Sequence, residues 1–529
     1  MTSIKRIILA LLTIFAIAQV GLSLNSSLSQ PQIQSRLELY QTNLVLHVAE
    51  FKSGSEDDSN LNSAVSSLVG EDPYSAANKK YQQVRQETVN SRDKFKSQLL
   101  QLDRQSNKLT TGALEVEVAA RSQGYIAQKK QLQAQIAELE EFINELDLKR
   151  GILTAVEGNP QGAISIWDST IKRINNPQNP YEQTATLLKQ LWQESQQQSQ
   201  PNSESNVTLI SSNLDSWFRY QALAKLKQVN NQQADLIFLK QQESQVATNS
   251  VFKLAVISGI PVFGGIGGVI LLIWLIVQRF VKPEQAIISA NSDKTWETPW
   301  DWEITWQVLI VGFFFIGQFV LPLLISLFNI SPVNSPLRVK ALYVLGTYIL
   351  MTIGGISVLY LSIKSFFPLP NDWFKFKFQS NWILWGLGGY LVAIPSVLLV
   401  SSINQQIWQG QGGSNPLLFL ALQAQDKVAL LIFFTTASIA APIFEEIMFR
   451  GFLLPSLTRY VSVTGAIVIS GLIFAIAHLS LSEVLPLTTL GIILGFVYTR
   501  SRNLLAPMLL HCLWNSGTLI SLFVLGSGV

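Results

Sequence analysis

The chain has 529 residues, 48% of them apolar and only 14% charged, with a net charge of +3. That length allows more than one folding unit, and that charge is too small to suggest a nucleic-acid partner. A single cysteine, Cys512, excludes an internal disulfide framework and a cysteine-based zinc site, so any histidine chemistry must use His47, His478 or His511.

Charge is dense before Ser250 and sparse after it, which reads as a polar domain joined to an integral membrane domain. Lys5 and Arg6 precede an apolar run at 7–24, about the length of one span. Residues 1–24 read as a signal anchor or a signal peptide. The anchor is favoured, because no strong small-x-small cleavage site comes after it, Leu22-Ser23-Leu24-Asn25 being a poor match. Basic residues ahead of the run put the N-terminus in the cytoplasm and send the next segment of chain outward.

Residues 25–250 are polar and helical in pattern. Leu132, Ile136, Leu139, Ile143 and Leu146 form a heptad-like seam suited to a coiled coil. Residues 79–104 suit a long helix. The stretch 151–173, with Gly158, Gly162 and Trp167, resembles one helical hairpin of the tetratricopeptide kind. A polar linker comes next at 193–206. His47, alone between Leu46 and Val48, reads as structural. No catalytic constellation is visible here, and the expectation is a helical docking domain on the non-cytoplasmic side, with a protein partner.

A second span is expected at 254–277, with Arg279 and Lys282 putting its end in the cytoplasm. Trp296, Trp300, Trp302 and Trp306 suit a membrane interface. Further spans read at 305–328, 341–363, 382–402, 428–449, 463–478, 484–499 and 504–525, nine in all, with an outer loop at 403–427. The fold class is therefore an all-α polytopic membrane bundle of about eight C-terminal spans (251–529), plus an N-terminal anchor helix and an extramembrane helical domain.

Three short pieces put polar groups into the last four spans. Glu445 and Glu446 are followed by Arg450, and on a helix Glu446 and Arg450 are i, i+4 neighbours. Glu445 points about 100° away and has no local cation. Phe474 with His478, and His511 with Asn515, also share helix faces. Such groups are costly in a membrane unless they meet, so one buried polar site shared by these helices is expected. It holds what peptide hydrolysis needs: a carboxylate to move a proton, a histidine to orient water, and a donor pair for an oxyanion. Equally, Glu445, His478 and His511 make three ligands for Zn2+ with water in fourth place. Interhelical hydrogen bonding alone would account for one histidine, but less readily for the whole set. As the spans are drawn, Glu445 lies near the inner end of its helix and His478 near the outer end of the next. A break at Pro442 or different boundaries would have to reconcile the two.

The ordered set Glu445-Glu446-x-x-x-Arg450, Phe474-x-x-x-His478, His511-x-x-x-Asn515 resembles the CPBP family of intramembrane proteases. That family includes the type II CAAX prenyl endopeptidases and the bacteriocin-processing relatives also called Abi. The flanks Ala441-Pro442, Gly451 and Ala506-Pro507 agree, and the likeness covers 427–525. It implies an intramembrane endopeptidase acting on a membrane-associated protein or peptide in a bacterial inner membrane or similar internal membrane. Glu445 and His478 would activate water, His511 and Asn515 would bind the oxyanion, and Glu446, Arg450 and Phe474 would hold the site in shape. A zinc and a metal-free mechanism are equally compatible with these residues. The alternatives are a non-catalytic scaffold or immunity-type protein, and a transporter, for which paired halves with interrupted helices are not seen.

Overall fold

A chain in lipid must satisfy its backbone hydrogen bonds internally, and among the described residues all regular elements are helices. The computed structural model describes residues 3–28, 30, 32–51, 65, 69–109, 115–193, 203–328, 335–423 and 426–526. Two compact units result, one of Met1–Gln30 with Ile257–Ser527, the other essentially Pro31–Val256.

In chain order the helices are α1 (Ser3–Ser27), α2 (Ile33–Ala49), α3 (Pro73–Leu109), α4 (Glu115–Val156), α5 (Pro160–Ile174), α6 (Pro180–Trp192), α7 (Ser203–Asn213) and α8 (Ser216–Val229). Helix α9 (Gln233–Val281) belongs to the polar unit at its start and to the membrane unit at its end. After it come α10 (Trp302–Leu327), α11 (Leu337–Ile363), α12 (Trp382–Trp408), α13 (Pro416–Gln423), α14 (Lys427–Leu457), α15 (Val463–Ile476), α16 (Leu481–Ser501) and α17 (Leu505–Gly526).

In the polar unit α3 and α4 pair side by side. Asn78 meets Thr154, Arg85 meets Asp147, Lys96 meets Glu140 and Asp103 meets Lys129, so the two helices run antiparallel. The apolar seam from Leu132 to Leu146 is buried, and Phe95, Leu99 and Leu102 pack on its first half. At the α4–α5 corner Gly158 adopts φ +89°, and the Asn159 side chain caps α5 by accepting from the Gly162 N–H. Gly151 is needed for a different reason, since a Cβ there would fall 2.1 Å from Trp167 Nε1. The linker expected at 193–206 lies mostly outside the described residues.

Eight helices of the described residues are long and apolar enough to cross a membrane: α1, α9, α10, α11, α12, α14, α16 and α17. The ninth expected span is α15, which has only 14 residues. At 1.5 Å per residue it is about 21 Å long, short of a bilayer core of about 30 Å. In compensation α14 runs on to Leu457, past the boundary expected at 449. The expected outer loop at 403–427 contains the last turn of α12 and all of α13.

Helix α1 is packed into the bundle. Arg6 pairs with Glu303 at 2.7 Å, Trp306 Nε1 donates to Thr13 Oγ1 at 2.8 Å, and Phe15 lies edge-on to Phe315 and Phe319. One end of the bundle gathers the 283–303 segment, the α11–α12 connection and the α14–α15 and α16–α17 corners. Trp300 Nε1 donates to Ser456 Oγ, Trp296 Nε1 to Asp372 O, and Arg500 Nε to Ile288 O. Trp296 and Trp300 are therefore core residues, 3% and 1% exposed, and not the interface anchors expected of them. Trp302 remains exposed.

Candidate active site

Helix α14 carries both glutamates, and its backbone departs from α geometry around them. A wide π turn spans Thr436–Ala440 and another Ile447–Leu453. Such turns insert an extra residue into the helical ladder and are frequent at functional sites. In the first, the Ala441 N–H reaches back five residues to Thr436 O. The next carbonyl in line, Ala437, falls to residue 442, which is a proline and has no N–H. Asn515 of α17 supplies the missing donor, with Nδ2 2.7 Å from Ala437 O. Asn515 is thus joined to the glutamate helix by one N–H, and its second N–H and its carbonyl oxygen stay available.

Glu446 and Arg450 are fully buried and bonded at 3.0 Å. Arg450 also donates to Gly491 O of α16 at 2.9 Å and stacks over the Phe474 ring, 4.5 Å from its centroid. Helix α16 comes this close because Gly491 faces Gly471 of α15. A Cβ on Gly491 would meet Gly471 Cα at 2.8 Å. The arginine thereby ties α14 to α16 and covers Phe474 of α15.

The same Glu446 oxygen that Arg450 binds also receives His511 Nδ1 at 2.8 Å. A carboxylate accepts, so the proton sits on Nδ1. His511 Nε2 then faces Glu445 Oε2 at 3.9 Å. In that tautomer Nε2 offers a lone pair, and it donates only after taking up a proton. Glu445 is 14% exposed at its side chain, while Glu446 is sealed. Its Oε1 accepts from the Tyr348 hydroxyl at 3.1 Å, and its Oε2 is buried without a hydrogen-bond partner. Tyr348, on α11, was not singled out in the sequence. One of three tyrosines in an apolar helix, it carries no spacing signal that separates it from Tyr343 and Tyr360, and its partner is 97 positions away.

His478 stands just past the end of α15, its Nδ1 donating to Phe474 O of its own last turn at 2.8 Å. That leaves Nε2 with its lone pair exposed. The Phe474 ring lies edge-on to both His478 and His511, at centroid distances of 4.9 and 5.6 Å. The depth mismatch expected from sequence is removed by the helix lengths, and Pro442 is absorbed by the π turn. Glu445 lies about 18 Å from the Leu457 end of α14, and His478 about 22 Å beyond the start of α15. Both helices leave the corner near Thr458–Val463, so the two residues reach a similar depth.

Zinc would need Glu445, His478 and His511 to converge on one point. Among the described residues no three His, Cys, Asp or Glu side chains gather in that way. His511 Nδ1 donates to Glu446 and His478 Nδ1 to a backbone carbonyl, which leaves each Nε2 as the nitrogen that would have to face an ion. As placed, Glu445, His478 and His511 do not converge on one such point.

Residues 427–517 match the family model described as Type II CAAX prenyl endopeptidase Rce1-like. Among curated proteins, the chain is 30% identical over 138 residues to the putative membrane peptidase YdiL of Bacillus subtilis. That match covers 26% of this chain and 55% of YdiL, about half its length. It is also 27% identical over 224 residues to the membrane-embedded CAAX protease MroQ of Staphylococcus aureus, covering 41% of this chain and 88% of that protein. No solved structure matches.

Proposed function

Residues 427–517 of this chain belong to the CAAX/CPBP-type protease family, and from that premise we propose that the protein is an intramembrane endopeptidase. It hydrolyses a peptide bond of a membrane-associated protein or peptide, and Glu445 is its base. The observation that carries this reading is the asymmetry of the two glutamates. Glu446 is neutralised by Arg450 and bonded to His511, while Glu445 presents an unpartnered Oε2 toward His511 Nε2.

In this mechanism Tyr348 holds Oε1 of Glu445 and leaves Oε2 to take a proton from water. His478, fixed through Nδ1, orients that water with its free Nε2. The hydroxide attacks the scissile carbonyl. The oxyanion is met by Asn515, through its second N–H, and by His511 in its doubly protonated form, which the Glu446 carboxylate supports. Glu445 then passes its proton to the leaving amine. Arg450 and Phe474 keep Glu446 and both histidines in register. The 25–250 domain is read as lying on the non-cytoplasmic side and recruiting a protein partner.

The test is turnover by the purified protein in detergent against a membrane-peptide library, with and without a chelator, for the parent and Glu445→Gln. Turnover is expected to vanish in Glu445→Gln, with the melting temperature unchanged. Full activity in that variant would end the mechanism. Loss of the parent's activity to the chelator, restored by zinc, would replace it with a metal-dependent one.

A further inference from the structure

The polar unit has one histidine, His47, and it stands at the centre of a row of three side chains from three helices. Its Nδ1 is 2.5 Å from Glu243 Oε1 on α9, and its Nε2 is 2.8 Å from Ser216 Oγ at the first residue of α8. Since a carboxylate only accepts, Nδ1 carries the proton and Nε2 accepts from the serine hydroxyl. His47 is 1% and Glu243 5% exposed, whereas Ser216 is half-buried, so the row leads from the interior to the surface.

Two further features bear on Ser216. Its φ is +52°, in the left-handed region where a serine is strained, and such strain collects at reactive sites. Asp215, the residue ahead, does not cap α8 with its side chain. Its carboxylate pairs instead with Lys149 at 2.8 Å. The first-turn N–H groups beside Ser216 are therefore left without a capping side chain, where an oxyanion would be received. A histidine serving only to join α2 to α9 would need the carboxylate alone. The third member here is a strained hydroxyl aimed into the ring's lone pair, which is the polarity of an activated nucleophile.

We propose that Ser216, His47 and Glu243 form a second reactive centre, separate from the membrane site, that takes the acyl group of a carboxylic ester. Ser216 Oγ bonds to the carbonyl carbon as its proton passes to His47 Nε2. The ester C–O bond then breaks, and the departing alcohol takes that proton. Water next attacks the acyl-serine, giving its proton to His47, which returns it to Ser216 Oγ as the acid leaves. The sum is ester plus water to acid plus alcohol. Glu243 holds the imidazole in the required tautomer and supports its charge.

The experiment uses the full chain in detergent, in a Glu445→Gln background, treated with an alkyl fluorophosphonate and mapped by peptide mass. One phosphonyl adduct on Ser216 is expected, absent in Ser216→Ala and at least tenfold slower in His47→Gln. Hydrolysis of p-nitrophenyl acetate should fall in parallel. If His47→Gln fails to fold, Ser216→Cys reads the same relay, because the thiol it introduces should react with iodoacetamide at neutral pH at least tenfold faster than Cys512. A folded parent with no adduct at Ser216, an adduct rate unchanged by His47→Gln, or a thiol in Ser216→Cys no faster than Cys512 would each overturn the proposal.

Discussion

Glu445 and Glu446 are neighbours in the chain with opposite surroundings, and the difference comes from which residues each meets. Glu446 faces Arg450 one turn on, a pairing visible in the sequence because i, i+4 spacing is local. Its second partner, His511, lies on α17 and was not visible, since a tertiary contact between polar groups 65 positions apart leaves no periodic trace. Glu446→Gln leaves Arg450 buried without its paired carboxylate and gives Arg450 and His511 only a neutral amide oxygen to share. The expected cost is about 3–5 kcal/mol, read as a fall in melting temperature in detergent that Glu445→Gln does not share. Tyr348 acts on Glu445 through one hydrogen bond to a charged group, worth about 1.5–3 kcal/mol. Tyr348→Phe keeps the ring packed on Phe444 and removes that bond. Turnover should drop about 10- to 100-fold with KM little changed, and an unchanged kcat would show that Glu445 does not depend on Tyr348.

The helices were legible in kind and misjudged in length, for physical reasons. A half-buried 14-residue apolar helix and its approach read like a full span in any hydropathy window, and Arg450 looked like the end of α14 because a charge usually marks an interface. Here the arginine is satisfied by Glu446 and Gly491, so the helix continues past it. The π turn ahead of the glutamates was equally hidden, although its consequence is specific. Pro442 withholds an N–H from Ala437 O, and Asn515 takes that place. The two residues should therefore couple. Pro442→Ala supplies a competing N–H and should release Asn515, lowering activity by about tenfold. On the proposed mechanism Asn515→Ala removes an oxyanion donor outright, at about 10²–10³-fold in kcat. In a double-mutant cycle Pro442→Ala should add little on top of Asn515→Ala. Additive losses would mean that Pro442 does not position Asn515.

At the scale of the whole chain, the all-α, two-part character was legible from composition, because charge density alone separates a solvated helical unit from a membrane bundle. The membrane bundle also offers a physical argument about sides. Arg6 of α1 pairs with Glu303, and Lys294, Asp372, Arg459, Arg500 and Arg502 bond among the same segments at one end. Lys and Arg retained at one end of a bundle mark the cytoplasmic side. On this argument we expect the chain to start inside at Lys5-Arg6, to leave through α1 and to return through α9 to Arg279 and Lys282, which would put residues 25–250 outside between the two crossings. Cysteines placed at two exposed positions in a Cys512→Ala background test this. Gln161→Cys on α5 should react with a membrane-impermeant maleimide in intact cells. Glu284→Cys, just past α9, should react only after permeabilisation. The reverse pattern would turn the molecule over and put the helical unit, with its Ser216–His47–Glu243 row, in the cytoplasm. Labelling of both sites in intact cells would mean that α9 does not cross, and that the basic flanks do not set its orientation.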